Sequence, residues 1–93
     1  IDLYHLTTQL ASQLGLRDTQ GAFVNQIDRR SPAYQAGVEP GDVIISFDGQ
    51  TVADPSHLGR LIADARIGST ATVSVIRAGK RVVLQIPILQ REG

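Results

Sequence analysis

The chain has 93 residues, no cysteine, and nine basic residues against nine acidic ones, so its formal net charge is zero. This length fits one small domain covering residues 1–93, and the lack of cysteine excludes disulfides and thiolate chemistry. Balanced, dispersed charge disfavours nucleic acid as a partner, and no apolar run is long enough for direct insertion into a membrane. Because the chain begins at Ile1 without methionine, we expect a piece of a longer protein.

The N-terminal part of the chain predicts two strands separated by a short helix. Residues 1–4 alternate weakly between apolar and polar side chains, which favours a strand. Thr7 or Thr8 provides a helix N-cap and Gly15 provides the C-cap, so a helix of about two turns lies between them. Residues 22–27 then have the composition of a second strand.

Turn-forming residues dominate the next segment. Ser31 is suited to cap a helix, and Pro32 suits the first helical position, where its missing N–H is harmless. Gly37 provides a left-handed exit after about one helical turn, and Pro40-Gly41 predicts a turn. We therefore expect a very short helix immediately before an apolar run.

That apolar run predicts a buried strand followed by a hairpin. Its alternation should place on one face Val43, Ile45 and Phe47. Asp48-Gly49 is a strong two-residue hairpin signal, after which Thr51-Val52 returns briefly as a strand.

The longest predicted helix starts at Pro55, capped by Asp54, and ends before Gly68. Its apolar residues recur at helical spacing: Leu58, Leu61, Ile62 and Ala65. His57 lies about 90° from the middle of this apolar arc, at the edge between the buried face and solvent.

Two alternating segments complete the chain. Residues 70–77 and 81–88 flank the Ala78-Gly79 turn and predict a hairpin. Pro87 has no N–H to donate, so its end of the strand should lie at a sheet edge or leave the sheet. The predicted fold class is α+β, mainly β: a small, partly open barrel or sandwich of five to six strands with two to three short helices.

The sequence offers little support for catalysis. The histidines His5 and His57 have no carboxylates at metal-ligand spacing. None of the serines lies in a Gly-x-Ser-x-Gly setting, and Ser31, Ser56 and Ser69 stand beside turns, where serine commonly acts as a cap. We therefore expect no catalytic residues, no metal site and no cofactor in this chain.

A binding surface is the remaining hypothesis. His57 is either a half-exposed surface residue or, beside Leu61, part of the wall of a groove between the 55–65 segment and a sheet edge. Such a groove suits an extended peptide, whose backbone pairs with the edge strand while side chains enter apolar pockets.

Three segments resemble one known family. "LTTQLASQLGL" (6–16), "GAFVNQI…SPAYQAGVEPGDVIISFDGQTV" (21–52) and "IGSTATVSVIRAGKRVVLQIPI" (67–88) closely resemble the PDZ domains of HtrA/Deg-family, trypsin-like serine proteases. The resemblance implies a permuted, bacterial-type PDZ fold. It also implies that the turn-rich segment is scaffold, with little direct role in binding.

The resemblance also implies the binding residues. A hydrophobic-Gly-hydrophobic loop that binds the ligand carboxylate precedes the first strand in this family, and Ile1 matches the second hydrophobe of that loop. The Gly and the first hydrophobe are not in this chain. The implied peptide-binding residues are Ile1, Asp2, Leu3 and Tyr4 on the strand wall and His57, Leu61 and Ala65 on the helix wall.

The implied function is recognition of C-terminal or exposed hydrophobic segments of substrate proteins for a serine protease domain outside this chain, in the periplasm or cell envelope. His57 would add a polar preference at one ligand position. Similar PDZ domains in intramembrane zinc proteases, processing peptidases or secretion components are an alternative. A mainly structural module used for oligomer contacts is another.

Overall fold

The computed structural model describes residues 2–89, which form six strands and three helices. In chain order these are β1 (Asp2–His5), α1 (Thr8–Gln13), β2 (Ala22–Gln26), α2 (Pro32–Gln35), β3 (Val43–Phe47), β4 (Gln50–Thr51), α3 (Pro55–Asp64), β5 (Thr70–Arg77) and β6 (Lys80–Pro87). The elements match the predicted ones within about three residues, and the mainly β fold class is confirmed.

The strands form one antiparallel sheet in the order β1-β2-β3-β5-β6, with β4 paired to β3. In the part of the chain that the structure describes, β1 and β6 are therefore the edge strands at the two ends of this order, while the two-residue β4 pairs only with β3. The position of Pro87 at the end of β6 agrees with its predicted place at an edge.

Each helix starts at the capping residue that the sequence indicates. The side chains of Thr7, Ser31 and Asp54 accept hydrogen bonds from the backbone N–H three residues later, at 3.0, 3.2 and 2.8 Å. Gly37 has the predicted positive φ, 116°. α3 ends at Asp64 rather than near Gly68, because Ala65 already has extended backbone geometry.

The predicted face of β3 is wrong. The pairing of β3 with β5 shifts register between Ile44 and Ser46, so the alternation breaks inside the strand. As a result Ile44 and Phe47 both belong to the main core, whereas Val43 is buried outside that cluster and Ile45 is half-buried.

The main core lies between the inner face of the sheet and α3. Its buried members are Ala22, Val24, Val38, Ile44, Phe47, Val52, Leu58, Ala71, Val73 and Val75. The predicted apolar positions of α3 and β6 complete it as partly buried neighbours: Leu61, Ile62, Ala65, Val82, Leu84, Ile86 and Ile88. The helical and alternating periodicities of these two segments are thus confirmed.

The Gly41-Asp42 turn has a structural role through a buried carboxylate. Asp42 is only 1% exposed, and Arg77 donates to it from Nε at 2.9 Å and from Nη2 at 2.7 Å. The same guanidinium donates to the Gly37 carbonyl and pairs with Glu39 at 3.0 Å. The hydrogen bond to Asp42 raises the pKa of Arg77 above its ordinary value. This network fastens the turn before β3 to the end of β5.

Candidate functional site

The outer edge of β1 is open. β1 pairs with β2 on one side, and within residues 2–89 no strand pairs with its other side. An edge of this kind presents unpaired backbone N–H and C=O groups to any extended chain that approaches it. α3 packs beside β1 and forms the second wall of the opening.

An apolar cavity of about 490 Å³ lies behind this edge. On the side of the open edge, the lining comes from Leu3 of β1 and from Leu58 and Ile62 of α3. The interior of the sheet contributes Ile44, Phe47 and Val73. The remaining lining comes from the α2 region, with Arg30–Ala33 and Val38, and from the end of β6, with Ile86–Leu89. Both edge strands of the open sheet therefore contribute to one cavity. A volume of this order lies in the range typical of ligand pockets.

The structure places the predicted site residues on two walls. On β1, Leu3 lines the cavity, while Asp2 and Tyr4 are exposed. Ile1 lies outside the described residues.

On α3, the residues that line the cavity are Leu58 and Ile62. The predicted helix-wall residues His57, Leu61 and Ala65 are half-buried, and Ala65 follows the last residue of the helix. Their contact with a ligand stays a prediction.

The orientation of His57 is fixed by the loop before α3. The backbone N–H of Ala53 donates to Nδ1 of His57 at 3.0 Å, and the backbone N–H of His57 donates to Asp54 at 2.8 Å. Because Nδ1 accepts, the proton of the neutral imidazole resides on Nε2. His57 can therefore donate a hydrogen bond from its Nε2 side.

A β-bulge shapes the start of β1. Asp2 pairs with Gln26 and Leu3 with Val24, so Asn25 has no partner of its own in the ladder. The side-chain amide of Asn25 instead donates to Oδ2 of Asp2 at 3.2 Å. This bond holds the carboxylate of Asp2 beside the bulge.

Sequence reasoning missed several residues of the cavity. Periodicity identified Leu58 and Ile62 only as core positions, and no local signal brings the start of α2 to the end of β6. These two segments lie more than 50 positions apart along the chain, and only the packing of α2 against β6 unites them. Arg30 is the charged side chain that this packing adds to the lining.

Residues 2–89 hold no cluster of three or more His, Asp or Glu side chains arranged to bind a metal. None of the helices of the same span has the combination of length and apolar character that crossing a membrane requires.

A scan of protein families matches residues 6–88 to the PDZ domain model. Among curated proteins, the chain is 36% identical over 88 residues to a probable periplasmic serine endoprotease DegP-like of Rhizobium meliloti (strain 1021), covering 95% of this chain and 18% of that protein. It is 38% identical over 74 residues to the magnetosome formation protease MamE of Magnetospirillum gryphiswaldense, covering 80% and 10%. The chain thus spans less than a fifth of each relative.

Solved structures show the same fold. The HtrA-type protease AlgW with decapeptide superposes with a TM-score of 0.86 at 33% identity, covering 100% of this chain and 29% of that one. The HtrA3 PDZ domain bound to a phage-derived ligand superposes with a TM-score of 0.78 at 22% identity, covering 94% and 79%.

Proposed function

The chain belongs to the PDZ domain family, and from this premise we propose that it is the peptide-binding module of an HtrA-type serine protease. An extended peptide adds to the open edge of β1, and alternate side chains of the peptide enter the apolar cavity behind it. This mode requires a free strand edge beside an apolar pocket, and β1 and Leu3 provide both.

The single observation that carries the proposal is that β1 is an edge strand whose Leu3 lines the same cavity as Leu58 and Ile62. Backbone pairing gives affinity with little dependence on sequence, while the cavity selects apolar side chains. A chain segment that is both extended and apolar is typical of an unfolded protein or an exposed C-terminus.

The protease domain would lie outside this chain, and the parent protein would work in the periplasm or cell envelope. Support comes from the similarity to DegP-like endoproteases that are named periplasmic. The module would present hydrophobic substrate segments to that domain or regulate it. A peptide with about four ordered residues makes few contacts, so we expect a dissociation constant near micromolar, about −8 kcal/mol or weaker.

Titration of the ¹⁵N-labelled domain with peptides ending in Val, Phe or Ala tests the proposal. We expect saturable amide shifts along β1 and α3. Ile62→Ala removes apolar contact with the occupant of the cavity and should weaken binding about tenfold. Ile67→Ala is the matched control, because Ile67 is 62% exposed in the turn after α3, and it should bind as the wild type does.

Two results would contradict the proposal. In the first, the amide signals of β1 and α3 do not shift at millimolar peptide while the domain self-associates in a concentration-dependent way. This result favours the structural-module alternative. In the second, binding is saturable and equally strong in Ile62→Ala, but the amide signals of β1 and α3 do not shift. The first result would show that the domain does not bind these peptides, and the second would show that they bind to another surface.

His57 should give the groove a polar preference. With Nδ1 occupied by the Ala53 N–H, the Nε2–H is available to donate to a hydroxyl of a ligand Ser or Thr. One hydrogen bond contributes about 0.5–1.5 kcal/mol, so His57→Ala should reduce the enrichment of Ser and Thr in selected peptides by about two- to tenfold.

Peptide-library selection with the wild type and His57→Ala measures this preference. Arg60→Ala, an exposed change on the same helix, controls for general effects on α3. Identical ligand profiles from wild type and His57→Ala would show that the imidazole does not face the ligand.

A further inference from the structure

The face of β1 turned away from the cavity has its own chemistry. Successive side chains of a strand point to opposite faces, so Asp2 and Tyr4 share the face opposite to Leu3. Both are exposed, and Tyr4 exposes 49% of its surface. This outer face of β1 plays no part in the cavity.

The carboxylate of Asp2 is oriented by a hydrogen bond and forms no ion pair with a basic side chain of residues 2–89. Its Oδ2 accepts a hydrogen bond from the amide of Asn25, and the ion pairs of residues 2–89 do not include Asp2. Neither β1 nor β2 contains a lysine or arginine. The outer face of the two strands therefore carries one fixed negative charge beside an exposed phenol ring.

An added strand would bring its own side chains onto this face. In an antiparallel pair, residues directly opposite each other point to the same side and have Cβ atoms about 5 Å apart. A ligand residue opposite Leu3 would face the cavity. The ligand residues on either side of it would lie opposite Asp2 and Tyr4, outside the cavity.

Resting on the peptide-binding function proposed above, we infer that the preferred ligands carry arginine or lysine at the positions that alternate with their cavity-bound apolar residues. The basic side chain pairs with the free Oδ1 of Asp2, and its cationic group lies over the ring of Tyr4. A negative charge and an aromatic face within one strand repeat both attract a cation. Acidic residues at the same ligand positions are disfavoured by the charge of Asp2.

The expected effect on affinity is small because Asp2 and Tyr4 are both exposed to solvent. Exposed ion pairs and cation–π contacts contribute little each, so replacing arginine by glutamine in the ligand should weaken binding about two- to fivefold. Replacing it by glutamate should weaken binding further. The difference should shrink at 1 M salt, where the Debye length is about 3 Å.

Three peptides that alternate apolar residues with Arg, Gln or Glu test this without knowledge of the binding register. Alternation ensures that the variable residues share one face of the bound strand. Dissociation constants measured by fluorescence anisotropy at low and high salt should follow the order Arg, Gln, Glu from tight to weak. Equal affinities of the three peptides would overturn the inference while leaving the proposed peptide binding intact.

Substitutions in the protein test whether the charge of Asp2 causes the preference for basic ligand residues. Asp2→Asn removes the charge but keeps an oxygen acceptor for Asn25, and it should bring the Arg-to-Glu affinity ratio close to one. Asp18→Asn makes the same charge change in an exposed loop after α1 and should keep the wild-type ratio. An unchanged ratio in Asp2→Asn would overturn the assignment to the outer face of β1. Failure of all three peptides to bind would instead contradict the proposed function itself.

Discussion

Replacing Arg77 by alanine is expected to lower the free energy of unfolding by about 3 kcal/mol, the low end of the typical cost of stranding one partner of a buried ion pair, because the Arg77 side chain is itself 33% exposed. Arg77 holds the carboxylate of Asp42, which is 1% exposed, through two hydrogen bonds. Without the guanidinium the carboxylate loses its counter-charge and both hydrogen bonds from Arg77, while it keeps the one from the backbone N–H of Glu39. Because typical small domains have only about 5–15 kcal/mol of stability, this loss is a large fraction of the total.

Thermal and urea unfolding monitored by circular dichroism measure this effect. A loss of about 3 kcal/mol corresponds to a melting temperature at least about 12 °C lower for a domain of this size. Arg17→Ala, which removes an exposed arginine from the loop after α1, should change the stability by less than about 0.5 kcal/mol.

A second substitution separates the buried charge from other effects of the missing side chain. Asp42→Asn in the Arg77→Ala background removes the uncompensated charge, while the amide oxygen can still accept the backbone N–H of Glu39. This double variant should recover part of the lost stability. Arg77→Ala within about 1 kcal/mol of the wild type would show that the buried pair does not hold the turn before β3.

Leu58→Ala should have a cost of comparable size, about 2–5 kcal/mol. Leu58 is 2% exposed within the core cluster, so its removal loses apolar burial and leaves a void that the surrounding residues fill only partly. Because Leu58 also lines the cavity beside β1, the same change should weaken peptide binding by enlarging the pocket.

Chemical denaturation together with peptide titration checks both effects. Leu58→Met conserves most of the volume and should cost less than about 1.5 kcal/mol. Ile67→Ala removes an apolar side chain that is 62% exposed and should be nearly neutral. Equal stability of Leu58→Ala and Ile67→Ala would mean that α3 is not fastened to the sheet through Leu58.

Local patterns in the sequence determined most of the elements. Capping residues act within about one turn of the chain, and for this reason Ser31 and Asp54 could be identified as helix starts without a structure, and the first N-cap could be narrowed to Thr7 or Thr8. The Asp48-Gly49 hairpin and the alternating β5 and β6 follow from equally local rules. The resemblance to HtrA-type PDZ domains likewise rests on sequence alone, on the segments 6–16, 21–52 and 67–88.

Local rules failed where two distant strands decide the geometry. Strict alternation put Ile45 on the core face, but the bulge in the pairing of β3 with β5 puts Ile44 and Phe47 there instead. The register shift depends on how β5 pairs with β3, and the residues of β5 lie about 30 positions further along the chain. A five-residue sequence pattern in β3 contains no information about them. The end of α3 at Asp64 is a similar case, because Gly68 is the obvious stop signal in the sequence.

The sequence by itself determined the fold class and the helix starts, and its resemblance to PDZ domains indicated the strand and helix of the proposed groove. Only the tertiary structure decided that both edge strands, α2 and α3 enclose one apolar cavity, and that the Ala53 backbone fixes the imidazole of His57. The physical reason is range: capping, turns and periodicity act between near neighbours in the chain. A cavity exists only where segments far apart in the chain pack without filling the space between them.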